Sequence, residues 1–90
     1  MTKYKISVMK PARKFIEKQP RPQQERLLKA IKKLPHDGDI IPMGGHKETF
    51  RLRVGDYRVI FEIRDSIIID GEEITPLDVL IAGNRGDVYS

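Results

Sequence analysis

One alternating segment with a glycine near its centre constrains this chain more than any other feature. In Phe50-Arg51-Leu52-Arg53-Val54-Gly55-Asp56-Tyr57-Arg58-Val59-Ile60-Phe61, residues alternate in character on both sides of Gly55-Asp56. That is the pattern of two strands joined by a two-residue hairpin loop with glycine first. A loop of this length fixes the register. Val54 is then expected to face Tyr57, Arg53 to face Arg58, Leu52 to face Val59 and Arg51 to face Ile60. Residues directly opposite share a sheet face. Phe50, Leu52, Val54, Tyr57, Val59, Phe61 and Ile63 therefore line one face, and Thr49, Arg51, Arg53, Arg58, Ile60 and Glu62 the other.

The first face is core material. The second carries three arginines, with Arg53 across from Arg58. Like charges set opposite one another are unfavourable by some tenths of a kcal/mol, up to about 1. An anion between the strands relieves that cost, and guanidinium forks match phosphate oxygens. The competing reading is a solvated basic face, or arginines paired with Glu62 and Asp78. A one-residue slip of register would scatter the charges, so their placement carries more information than a simple basic run.

The remaining segments supply a partner for the apolar face. Lys3 to Val8 alternates around Tyr4, Ile6 and Val8 and reads as a first strand. Pro11 suits a first helical turn, Ala12, Phe15 and Ile16 mark an apolar helix face, and Pro20 and Pro22 close that helix. A second helix starts near Pro22 with Leu27, Leu28, Ile31 and Leu34 at helical spacing, and stops at Pro35. His36-Asp37-Gly38-Asp39 reads as a polar turn and Pro42 to Gly45 as loop. Three strand-like stretches follow: Thr49–Val54; Tyr57–Ile69, bent or broken near Arg64–Ser66; and Ile74–Ala82. Asp70-Gly71 is a tight-turn signal between the last two, and Pro76 implies an edge position or a bulge. The order strand, helix, helix, strand, strand, strand predicts an α+β fold, with a helical hairpin on a mainly antiparallel sheet. Ninety residues, 1–90, make one domain.

Charge is divided along the chain. Residues 1–33 hold eleven Lys/Arg against two Glu, and residues 34–90 hold six against eleven Asp/Glu. A basic helical pole suits a polyanion or an acidic protein partner. The plainer reading is a pair of solvated lysine-rich helices. There are no cysteines, so neither a disulfide nor a thiolate metal site is expected. The apolar runs are far too short to span a membrane, and the first residues lead into an alternating strand rather than a leader-like apolar stretch. These features lead to an expectation of a cytoplasmic protein with no membrane partner.

Two segments carry a resemblance to a known family. Arg51-Leu52-Arg53-Val54-Gly55-Asp56-Tyr57-Arg58-Val59-Ile60-Phe61 resembles the central hairpin of RelE/ParE-superfamily toxins. Ala82-Gly83-Asn84-Arg85-Gly86-Asp87-Val88-Tyr89-Ser90 resembles the C-terminal signature of the RelE branch, where a glycine and an arginine precede a Val-Tyr pair. The resemblance covers nearly the whole chain and implies a RelE-like fold. It also implies a toxin of a type II toxin-antitoxin system that enters the ribosomal A site and cleaves mRNA there, the ribose 2′-OH attacking the adjacent phosphate. The implied partners are an acidic cognate antitoxin, the ribosome and mRNA, and operator DNA only through the antitoxin complex. By motif, Arg58 and Arg85 match family arginines that hold the scissile phosphate, Tyr89 matches a tyrosine at the reacting nucleotide, and Arg51 and Arg53 match basic positions on the preceding strand. Some members have lysines on that strand as candidate general bases, where this chain has Thr49 and Arg51.

Chemistry at a phosphate needs a proton acceptor, a proton donor and positive groups for the developing charge. Arg51, Arg58 and Arg85 suit the third need. Arginine is not deprotonated in proteins, so Arg51 is a poor base. Lys47, just before the basic strand, is a candidate base or phosphate contact, and histidine, at His46, is the residue type nearest neutrality; the plainer reading of both is a surface residue. His36, in a turn, reads as solvated. Glu48 and Glu62 could exchange protons, although acids beside arginines more often form ion pairs. Two histidines without cysteines make no metal site, and no phosphate-binding glycine loop or other cofactor motif is present. Lys29, Lys32 and Lys33, with the other helical cations Lys10, Arg13, Lys14, Lys18, Arg21 and Arg26, are placed to lie on ribosomal RNA or to attract an acidic antitoxin. Two other functions use the same fold: a ParE-like inhibitor of DNA gyrase without nuclease activity, and a non-enzymatic basic scaffold.

Overall fold

A computed structural model describes residues 3–43 and 48–86. The elements run β1 (Lys3–Val8), α1 (Lys10–Glu17), α2 (Arg21–Lys32), β2 (Asp39–Pro42), β3 (Thr49–Val54), β4 (Tyr57–Ile63), β5 (Ile67–Ile69) and β6 (Glu72–Asn84). The strands form one sheet in the order β1-β6-β4-β3-β2, with β5 also paired to β6. β1 runs parallel to β6 and every other pair is antiparallel. This is the expected α+β arrangement of a helical hairpin on a mainly antiparallel sheet.

The hairpin register is the expected one, pair for pair: Val54 with Tyr57, Arg53 with Arg58, Leu52 with Val59 and Arg51 with Ile60. Gly55 has φ 58 while Asp56 is not among the residues of positive φ, the signs of a glycine-first type II′ turn. The expected core face is the core: Leu52, Val54, Val59 and Phe61 are buried against Leu27 and Ile31 of α2, and Phe50, Tyr57 and Ile63 pack around them. Phe50 and Phe61, cross-strand partners, stack with ring centroids 5.4 Å apart.

The helices are placed by their prolines and by one polar junction. Pro11 and Pro22 sit in the first turns of α1 and α2, where the missing N–H costs no intrahelical bond. At the corner between the helices, Gln19 Nε2 donates to Phe15 O at 3.1 Å, and Gln24 Nε2 donates to Gln19 O at 2.8 Å. Tyr57 Oη donates to Gln19 Oε1 at 3.1 Å, and its ring meets Phe15 edge-on. The helical corner is thereby tied to the strand that leaves the Gly55-Asp56 turn.

Two sequence expectations are amended. Asp39–Pro42 is strand β2, not turn and loop; it is four residues long and pairs only with β3, too short for its alternation to register in the sequence. Pro76 lies at neither an edge nor a bulge. It stands inside β6, the strand between β1 and β4, opposite the gap where the neighbouring ladder is interrupted between β4 and β5. There Arg64 N donates to Pro76 O at 2.9 Å, so the side of Pro76 that lacks an N–H faces the interruption. The bulge itself falls at Ile60/Phe61, where pairing with β6 shifts by one residue. Ile60, on the outer face, is buried. The expected break at Arg64–Ser66 and the Asp70-Gly71 turn are both present, the latter with φ 49 and 79.

Candidate functional site

The face of the sheet turned away from the helices is ordered in rows, because cross-strand partners share a face. The first row runs Asp39, Arg53, Arg58, Gly83 across β2, β3, β4 and β6. Two residues further from the turn, about 7 Å along the strands, comes Ile41, Arg51, Ile60, Ile81. Beyond it stand Thr49, Glu62 and Asp78. A basic row, an apolar row with one arginine, and an acidic row thus follow one another.

Arg58 is the most constrained member. It is 5% exposed, and its Nη1 donates to Gly55 O at 3.0 Å and to Tyr57 O at 2.9 Å. Its buried Nε has no acceptor among the described residues. The guanidinium is thus held by the carbonyls of the turn. A cation held in one orientation by backbone carbonyls can set a fixed positive potential at the surface beside the turn.

Three more arginines gather at the same turn. Arg53 is exposed and lies directly across from Arg58. Arg85, just after β6, donates its backbone N–H to Asp56 O at 3.0 Å, which moors that segment beside the turn and leaves the side chain exposed. Arg26 reaches the turn from α2: a Cβ placed on Gly55 would lie 2.8 Å from Arg26 Nη2 and 3.0 Å from Nη1. The sequence placed Arg26 only among the general helical cations. The one available signal for its role was the glycine itself, which both supplies the positive φ and leaves room for the guanidinium.

Arg51 is half-buried between Ile41 and Ile60 in the second row. Asp78 pairs with Arg64 at 3.3 Å. Lys29, Lys32 and Lys33 are exposed on and just beyond α2, with Lys33 Nζ 3.9 Å from Asp37. Tyr89, Lys47 and His46 lie outside the described residues. His36 meets the ring of Tyr4 edge-on at 5.4 Å, in the remaining part of the fold rather than in these rows. Among the described residues, no group of three or more His, Asp or Glu is placed to hold a metal ion, and no helix is long and apolar enough to cross a membrane.

Comparison with known proteins agrees with this architecture. The family model for the ParE toxin of the type II toxin-antitoxin system, parDE, matches residues 6–76. Among solved structures, the RelB-RelE antitoxin-toxin complex from Methanococcus jannaschii contains a chain similar to this one at a TM-score of 0.60 and 20% identity, covering 91% of this chain and 93% of that one. No curated protein matches. The family match extends over most of the chain and includes the end of the first strand, both helices and the arginine-bearing hairpin. The chain belongs to the ParE toxin family of type II toxin-antitoxin systems, within the RelE/ParE superfamily.

Proposed function

We propose that the chain is a ribosome-dependent endoribonuclease that cuts mRNA in the A site and so arrests translation. The observation that supports this reading most is the meeting of Arg58, Arg53, Arg85 and Arg26 at the Gly55-Asp56 turn, with Arg58 preformed by two backbone carbonyls. In the proposed reaction the 2′-oxygen forms a bond to the adjacent phosphorus, the bond from phosphorus to the 5′-oxygen breaks, and a cyclic phosphate remains. The 2′-OH proton passes to an acceptor and the 5′-oxygen takes up a proton. Arg58 and Arg85 hold the phosphate oxygens, Arg51 adds charge from the next row, and Tyr89 engages the reacting nucleotide. Lys47 and Arg53 contact the RNA near the site, and Lys29, Lys32 and Lys33 contact ribosomal RNA.

The described arginines stabilise charge but move no protons. Alignment of the 2′-oxygen with the leaving group is therefore assigned to the ribosome, which holds the mRNA in one geometry. An acidic antitoxin covers the arginine face in the resting cell, and operator DNA is met only through that complex. The place of action is the cytoplasm.

A second reading is favoured by the family match, whose model is that of ParE toxins: a gyrase inhibitor that uses the same hairpin as a protein-binding surface. Mapping mRNA 5′ ends after induction separates the two. New ends within codons, with replication continuing, support the nuclease. Halted replication with DNA breaks and intact mRNA overturns it.

A further inference from the structure

Arg26 stands apart from the sheet arginines, in α2 on the helix layer. It is exposed, yet its guanidinium lies against the turn: a Cβ on Gly55 would be 2.8 Å from Nη2, 3.0 Å from Nη1 and 3.1 Å from Cζ. Arg58, whose side chain leaves the opposite face of the sheet, donates to the carbonyl of the same glycine at 3.0 Å. Two guanidinium groups from two layers of the fold thus touch one residue. Both carry positive charge beside the same turn, and a nearby anion is attracted to such a place. Among the described residues no carboxylate or carbonyl accepts a hydrogen bond from Arg26; the neighbouring Glu25 is turned to Arg21, 3.9 Å away. The donors of Arg26 are therefore presented beside the turn. Lys29 and Lys33 follow at helical i+3 and i+7 spacing and continue the positive stripe along α2.

We propose that Arg26, seated on Gly55, forms a second anion site that binds a backbone phosphate of single-stranded RNA next to the one held by Arg58. This rests on the RNA-cleaving reading above and deepens it. A single strand carries an anion at every nucleotide, so it can engage the turn from both layers at once, and the guanidinium fork suits two phosphate oxygens. Glycine suits position 55 for its φ of 58, and it leaves open the space the guanidinium occupies. In this arrangement Arg26 is a substrate-positioning residue that orients the strand across the turn.

The test is binding of a fluorescent uridine oligomer of about eight nucleotides to the full chain, titrated between about 50 and 200 mM salt. Arg26→Gln is expected to bind roughly tenfold more weakly at low salt. Its log–log salt slope is expected to shrink by about 0.7, one phosphate contact on a single strand. Arg26→Lys keeps the charge, so its slope stays at the wild-type value while affinity falls for want of the fork. Thermal unfolding of both variants matches wild type, as suits an exposed side chain. Arg53→Gln is measured beside them. If Arg53→Gln lowers the slope and Arg26→Gln does not, the second site is wrong and the RNA reading stands. If the wild type does not bind the oligomer, or no variant alters the slope, the second site is wrong; the RNA-cleaving reading falls with it only if ribosome-bound mRNA also stays intact. If Arg26→Gln weakens only the complex with an acidic antitoxin, the site belongs to that partner and the proposal is overturned.

Discussion

Arg53 and Arg58 face each other across the β3–β4 ladder, but they occupy different environments: Arg53 is exposed, whereas Arg58 is buried with its guanidinium against the carbonyls of Gly55 and Tyr57. The pair is therefore not two equivalent solvated charges. One member is part of the turn's own structure and the other stands beside it, free to follow a ligand.

Removal of Arg58 then has two consequences. Seen from sequence alone, Arg58→Ala relieves a like-charge repulsion and should leave stability level or higher. The two backbone hydrogen bonds reverse that expectation, because the carbonyls of Gly55 and Tyr57 lose a charged donor in a part-buried place. Arg58→Ala is expected to lose about 1–3 kcal/mol of stability as well as toxicity, read from urea unfolding and from growth after induction. Arg58→Lys, folded but without the fork, should also be non-toxic. A folded Arg58→Lys chain with full toxicity would contradict the role given to this side chain.

Gly55→Ala places a side chain where φ is 58 and where Arg26 already lies. The backbone strain alone is worth about 1–2 kcal/mol, and the methyl group also displaces the guanidinium. The urea midpoint should fall accordingly, with an unchanged m-value. A variant as stable as wild type would mean that the turn has another conformation.

Tyr57→Phe keeps the ring against Phe15 and removes only the bond from Oη to Gln19 Oε1. A loss of about 1 kcal/mol is expected, since the amide oxygen of Gln19 is left without this donor in a half-buried corner. No change in stability would show that water replaces the hydroxyl at no cost.

How much of this was visible beforehand depended on whether a feature is local. The hairpin register, the core face from Phe50 to Ile63, the proline-started helices and the Asp70-Gly71 turn all rest on neighbours in sequence, and all were readable. Strand β2 was not, because four residues against a single partner take their conformation from β3 rather than from their own pattern. The burial of Ile60 was likewise hidden: one of its two cross-strand neighbours, Ile81, is brought beside it by the distant strand β6. Arg26 beside Gly55 joins residues 29 positions apart, and nothing in the helical spacing of α2 distinguishes it from the other cations on that helix. Pro76 misled for a similar reason. Its tolerance inside a central strand comes from the interruption between β4 and β5, a property of the neighbour and not of β6.

The exposed arginines also set the expected behaviour toward an acidic antitoxin. Association should slow as salt rises, and Arg53→Glu or Lys29→Glu should slow it further, while dissociation changes less. Stopped-flow mixing of the purified pair at several salt concentrations measures this. An association rate indifferent to salt and to both substitutions would place the contact on apolar surface instead.

The central claim is tested most directly by adding purified toxin to ribosomes halted on a defined mRNA and mapping the 5′ ends produced, beside the same mRNA without ribosomes. The account predicts one new end inside the A-site codon, dependent on the ribosome, present with wild type and absent with Arg58→Lys. Intact mRNA on the ribosome, with purified gyrase inhibited by the same preparation, would contradict it.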